Sequence, residues 1–169
     1  MRSLFTILIT SLVAFTGCTS EPPTDAALRK TFAANQATFE RLHQMMQSDE
    51  SVVRIGDDVV GDIWFDSSDS SLADALLPAG LSRERYDAYM ELLRRVGAYR
   101  VSVDLYDKSS SKIGMHRAGN VAESHSVDIV FVAQPPDTIV ADTVTATVHD
   151  NTSAYLELTD SWYIYREHD

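Results

Sequence analysis

Apolar residues recur at helical spacing early in the chain. Leu28, Phe32, Phe39, Leu42 and Met46, with Asn35 standing between the two phenylalanines, are separated by 4, 3, 4, 3 and 4 positions. That stripe predicts a helix over residues 25–47, with Arg29, Lys30, Glu40 and Arg41 on its far side. Thr24 is placed to cap it, and Asp25 puts a negative charge in the first turn, where the helix dipole favours one. A second helix reads from Ser82 as cap, through Tyr86, Tyr89, Met90, Leu93 and Val96 on one face, to Gly97 as stop. Between the two helices, Val52–Ile55 and Val59–Phe65 read as strands. Asp66–Ser71 reads as an exposed loop, and Leu72–Leu77 as a short helical turn stopped by Pro78.

From Ala98 the period changes to two. Tyr99, Val101, Val103 and Leu105 alternate with Arg100, Ser102, Asp104 and Tyr106, the pattern of a half-buried strand. Residues 112–117 follow a Lys108–Ser111 turn. Val127–Val132 is nearly all apolar, which suits a central strand, and Thr143–Val148 is β-prone. Tyr155–Leu158 and Trp162–Tyr165 predict a closing hairpin across Thr159-Asp160-Ser161. The expected fold is α+β, with two amphipathic helices packed on one face of a mainly antiparallel sheet.

The first residues follow another rule. Arg2 precedes an apolar run from Leu4 to Phe15, twelve residues long, short of the roughly twenty that a spanning helix needs. Thr16-Gly17-Cys18 follows. Small residues before a cysteine at the end of such a run resemble the lipobox of bacterial lipoproteins. The resemblance implies cleavage between Gly17 and Cys18 and acylation of Cys18, which becomes the first mature residue. The other readings are an ordinary secretory leader, for which Ala14-Phe15-Thr16 is the nearest cleavage site, and a packed N-terminal helix without visible amphipathicity. On the lipoprotein reading, residues 1–17 are a signal peptide, 18–24 a lipidated tether rich in small and polar residues, and 25–169 one domain. Thr19, where an aspartate would favour inner-membrane retention, resembles outer-membrane-directed lipoproteins. Cys18 is the chain's only cysteine, so the domain folds without an internal disulfide.

Charge narrows the partners. The chain carries 14 Lys+Arg against 25 Asp+Glu. Removing residues 1–17 takes away Arg2 alone, leaving 13 against 25 and a net charge of −12. Such a surface repels nucleic acid and suits either plain solubility or a basic protein partner.

No motif selects a catalytic or metal site. The five histidines, His43, His116, His125, His149 and His168, have no i, i+4 pairing. Asp62, Asp66 and Asp69 lack the alternation and glycine of a calcium loop. Glu84, Glu91, Glu123 and Glu157 stand in no apolar context that would raise a pKa, and there is no G-x-S-x-G elbow. The expectation is therefore no enzyme and no cofactor. The most distinctive mature feature is the terminal aromatic group. Alternation places Trp162 and Ile164 on one face and Tyr163 and Tyr165 on the other, so Tyr155, Tyr163 and Tyr165 are candidates for a partner-binding patch.

The layout as a whole resembles small envelope lipoproteins of Gram-negative bacteria: a lipobox, a long helix ending in an acidic turn, the L-S-R-E-R-Y-D-A-Y-M-E-L-L helix and the final D-S-W-Y-I-Y hairpin. That grouping brings no activity with it. The functional expectation is a membrane-anchored, periplasm-facing protein with a binding role, of inhibitor or immunity type. The alternatives are an accessory part of an envelope assembly and a peptidoglycan-directed hydrolase.

Overall fold

The structure, a computed structural model, describes residues 21–66, 69–104, 109–119, 124–147 and 152–168. The expectations for the leader, Gly17, Cys18, Leu105, Tyr106, Glu123 and His149 lie outside these residues. Among the described residues, no helix is long and apolar enough to cross a membrane.

Helix α1 (Asp25–Ser48) forms where its stripe predicts. Thr24 caps it, its hydroxyl accepting from the Ala27 amide at 3.3 Å. Phe39, Leu42 and Met46 are fully buried along it, each worth about 1.5–3 kcal/mol relative to exposure. One residue is non-helical. Asn35 sits at φ −134°, and its side-chain amide donates to the Thr31 carbonyl at 3.0 Å. That side chain competes with the backbone ladder, so the helix kinks without glycine or proline. Helix α3 (Arg83–Val96) also matches, capped by Ser82 and closed by Gly97 at φ 69°. Asp49, just past α1, locks the two helices together. Its carboxylate accepts from Arg85 Nε and from Tyr89 Oη, both at 2.8 Å. Burial, then the bond to Asp49, pushes the Tyr89 hydroxyl well above its ordinary pKa.

Three local expectations are corrected. Val59–Phe65 is not one strand but β2 (Val59–Val60) and β3 (Ile63–Trp64), because Gly61 adopts φ 61° and turns the chain between them. The helical turn at Leu72–Leu77 belongs to α2 (Asp69–Ala79), which takes in part of the expected loop. Its end is set by Gly80 at φ 64° rather than by Pro78, which sits in the last turn. Of the β-prone Thr143–Val148, the described residues 143–147 do not extend as a strand. Asp142 accepts from the Thr145 amide at 3.1 Å and caps the single turn α4 (Thr143–Ala146), so a local cap overrides β propensity.

The remaining strands are β1 (Arg54–Gly56), β4 (Arg100–Val103), β5 (Ser111–Gly119), β6 (Ser124–Phe131), β7 (Thr152–Thr159) and β8 (Trp162–His168). They form one antiparallel sheet in the order β3-β2-β1-β4-β5-β6-β8-β7, an α+β fold. The expected closing hairpin is β7–β8, and the apolar run at Val127 lies in an interior strand. Val101, Ile113, Ile129, Leu156 and Ile164 share a single core with Leu28, Phe39, Leu42 and Leu93. The long helices therefore cover one face of the sheet, and the alternate residues of every strand point the other way.

Candidate functional site: the helix-free face of the sheet

Register builds the second face row by row. One row runs Gly56, Arg100, Gly114, Asp128, Tyr165 and Tyr155 across β1, β4, β5, β6, β8 and β7. The next runs Arg54, Ser102, Lys112, Val130, Tyr163 and Glu157 across the same strands. A bulge between Gly114 and His116 precedes a third, partial row of Arg117, Ser126, Glu167 and Ser153. The face thus divides into a half with Arg54, Arg100, Lys112 and Arg117, and a half with three tyrosines, Asp128, Glu157 and Glu167.

The centre is crowded. A Cβ on Gly114 would stand 2.6 Å from the Tyr99 ring, so only glycine leaves room for that ring to lie over β5. Arg100 stacks 5.1 Å from the Tyr99 centroid, and Lys112 4.6 Å from the Tyr165 centroid. Beneath them Asp128 is only 2% exposed. Burial pushes its carboxyl above the usual range, against the pull of Arg100 and Lys112. Tyr163, Tyr165 and Val130 form a small second core with Tyr155 and Val132 beside it. The three candidate tyrosines are therefore brought together, with Tyr155 the most open and Tyr163 only 1% exposed. Burial raises the hydroxyl pKa of each, and a neighbouring carboxylate, Glu167 for Tyr155 and Tyr165 and Glu157 for Tyr163, adds to it.

This face concentrates unsatisfied polarity. Among the described residues, five buried side-chain polar atoms lack a hydrogen-bond partner: Arg54 Nε, Tyr99 Oη, Arg100 Nε, Asp128 Oδ1 and His116 Nε2. All but the last are on this face. Buried polar atoms are otherwise almost always paired, so such a cluster marks a place where water or a partner supplies the bonds. Arg83, Arg85, Arg95 and Arg166 each hold an acid. Among the described residues Arg54, Arg100, Lys112 and Arg117 on this face form no ion pair, and neither do Arg29, Lys30, Arg41 and Arg94 on the helices.

Sequence reasoning found the tyrosines and missed the rest. One signal was present: Asp128 interrupts an otherwise apolar run in a central strand, which marks a buried charge. The gathering of Arg54, Arg100 and Lys112 depends on strand order, which local pattern does not encode.

The other candidates stay apart. Glu84 lies in the first turn of α3, and Glu91 pairs with Arg95 at 2.9 Å. Among the described residues no group of three His, Cys, Asp or Glu side chains could hold a metal. His43 Nδ1 lies 3.1 Å from Ser111 Oγ, but Ser111 is 1% exposed, and the imidazole stacks on Phe131 at 4.0 Å. A serine closed off in this way offers a substrate no approach. His125 and His168 stack at 3.8 Å on neighbouring strands, with His116 close to His125 and Arg166.

These imidazoles predict an acid sensitivity. Burial lowers the pKa of His43, and burial with Arg166 and His125 lowers that of His116. Both groups are held neutral in the folded state, while the unfolded chain takes up protons from about pH 6.5 downward. Stability is therefore whole above that pH and falls as pH drops toward the folded values. Urea midpoints measured between neutral and mildly acidic pH should decline. The double variant His43→Gln/His116→Gln should flatten the decline, and an unchanged slope in that variant would refute this origin.

Neither a family model, nor a curated protein, nor a solved structure matches the chain.

Proposed function

We propose that the chain is a lipid-anchored, periplasm-facing envelope protein that works by binding another protein, without catalysis, through the helix-free face of its sheet. Acylated Cys18 supplies the anchor, and the outer membrane is its more favoured leaflet system. The observation that carries the binding role is the gathering of four unpartnered buried polar atoms on one helix-free sheet face, beneath a rim where Lys112, Arg117 and Glu157 are exposed. A folded domain does not keep desolvated polar groups unpaired without cause. Tyr155, Tyr163 and Tyr165 add the aromatic character that recognition surfaces favour. The net charge of −12 lies mostly off this face. It supports a basic protein, of the kind an inhibitor or immunity protein neutralises, as a partner drawn to the domain's acidic surfaces.

The test is site-specific photocrosslinking in intact cells. A photoreactive residue at Lys112 or Tyr155 should capture a protein adduct that weakens when salt is raised, because salt screens the exposed cations. The same group at Arg41 or Glu91, on the helical side, should capture little. Equal capture from both sides, or none from either, would remove the face from the account.

A further inference from the structure

We infer that His125 and His168 form a binding site for a divalent transition-metal ion, with Cu²⁺ held most tightly, at the end of the sheet beside α4. The site lies on the helical side, so it neither uses nor depends on the docking face proposed above.

Strand register makes the pair. His125 on β6 and His168 on β8 are direct cross-strand partners. They keep the parity of Val127 and Ile164, which belong to the core, so both rings project to the helical side. Both side chains are partly exposed. Their ring centres are 3.8 Å apart. Two imidazole nitrogens on one ion, each bound at about 2.0–2.1 Å, stand about 3 Å from each other. Rings this close bring their edges to that separation by a small rotation about χ2.

One ring is already oriented as a ligand. His168 Nδ1 lies 3.3 Å from the Thr147 carbonyl. A carbonyl oxygen only accepts, so Nδ1 carries the proton, and in the neutral ring Nε2 carries the lone pair. Imidazoles that bind metals are oriented in this way, by a carbonyl or carboxylate on the other nitrogen. The carbonyl is itself held in place. The Thr147 hydroxyl and amide both donate to the Thr143 carbonyl, at 2.8 and 3.1 Å, and so close α4. The Asp142 cap therefore holds the turn that aims this ring.

A second signal lies one row further in. His116 Nε2 is buried without a hydrogen-bond partner, in a side chain only 9% exposed. His116 is near enough to His125 for their charges to interact. Among the described residues no third His, Cys, Asp or Glu completes a protein-only site, so the ion keeps water on its remaining positions. Such a water supplies the partner that His116 Nε2 lacks. Arg166, the neighbouring cation, turns its guanidinium away to Asp25 and the Pro23 carbonyl.

Ligand chemistry selects the ion. Imidazole suits copper, nickel and zinc, and the general affinity order places Cu²⁺ above the other two. Calcium and magnesium require oxygen ligands, which the pair does not offer.

The experiment titrates the full chain, purified as cells produce it and without a polyhistidine tag, with Cu²⁺. One equivalent should bind and show the electron paramagnetic resonance couplings of two imidazole nitrogens. His125→Asn and His168→Asn should each weaken that binding at least tenfold and reduce the couplings to one nitrogen. Because protons compete for both rings, wild-type binding should also weaken as the pH is lowered below neutral. A measurement on the unaltered chain guards against a misfolded variant: substoichiometric Cu²⁺ should broaden the ring proton signals of His125 and His168 before that of His43. Absence of Cu²⁺ binding, a single-nitrogen pattern in the wild type, broadening that spares either ring, or an affinity unchanged in either variant overturns the inference. Any of these leaves the docking face standing, since crosslinking at Lys112 and Tyr155 reads that face separately.

Discussion

Cys18→Ser is expected to abolish acyl labelling of the chain and to change both its mass and its fractionation. The reasoning starts from the leader. A largely apolar run of twelve residues is too short to span a bilayer stably, and among the described residues no helix is long and apolar enough to span one. Attachment then depends on what is joined to Cys18. One acyl chain binds a membrane marginally and two or more bind stably, at about 0.8 kcal/mol per buried methylene. Serine offers no thiol for that chemistry, so the wild-type chain should incorporate a clickable palmitate analogue and begin at residue 18. The variant should incorporate none and should keep its leader or be cut elsewhere. Mass spectrometry separates a retained leader from a retained acyl chain, since either could hold protein in the membrane pellet. A variant with the wild-type mass and label would end the lipoprotein proposal. Loss of the label with unchanged crosslinking at Lys112 would instead separate the anchor from the docking face.

How far the sequence spoke depended on the range over which each signal acts. α1 and α3 were legible because stripe, cap and stop are all local: Thr24, Ser82 and Gly97 act within one turn. The division of Trp162 and Ile164 from Tyr163 and Tyr165 was legible for the same reason, since strand parity is a two-residue rule. α4 was not, because Asp142 outweighed the β-prone Thr-Val-Thr run that follows it. The make-up of the helix-free face was hidden for a different reason. Arg54 and Glu157 sit on β1 and β7, about a hundred residues apart in sequence, and only the crossover that seats β8 between β6 and β7 fixes which strands share the surface. Buried, unpartnered atoms are likewise a property of packing. Asp128 announced itself as a misplaced charge, but Tyr99 did so only once its ring was found over Gly114.

The largest stability effect is expected where the domain begins. Arg166 is buried, and its guanidinium donates to the Pro23 carbonyl at 2.9 Å, to Asp25 Oδ1 at 3.3 Å and to Thr143 Oγ1 at 3.2 Å. Asp25 in turn accepts from the Thr143 amide at 2.8 Å and its hydroxyl at 2.6 Å. One cluster thus joins the start of α1, the single turn of α4 and the last strand. Both charged side chains are largely buried, at 8% and 14% exposure, so solvent screening does little to soften the loss. Arg166→Met keeps most of the side-chain volume but leaves the Asp25 carboxylate without its cation and the Pro23 carbonyl without its donor. Breaking one partner of a buried pair costs about 3–5 kcal/mol, which for a domain of this size lowers Tm by about 6–20 °C. Arg83→Ala, which breaks an exposed pair with Asp87, should move Tm by far less. Thermal unfolding of the two variants decides the matter, and equal shifts would show that the cluster contributes no more than a surface contact. The consequence for function is geometric. Arg166 fixes the backbone at Pro23, so the chain enters the domain at a fixed point beside α4 and the start of α1. On the proposed lipid anchor at Cys18, the pull comes from that side and the helix-free face stays clear of the tether.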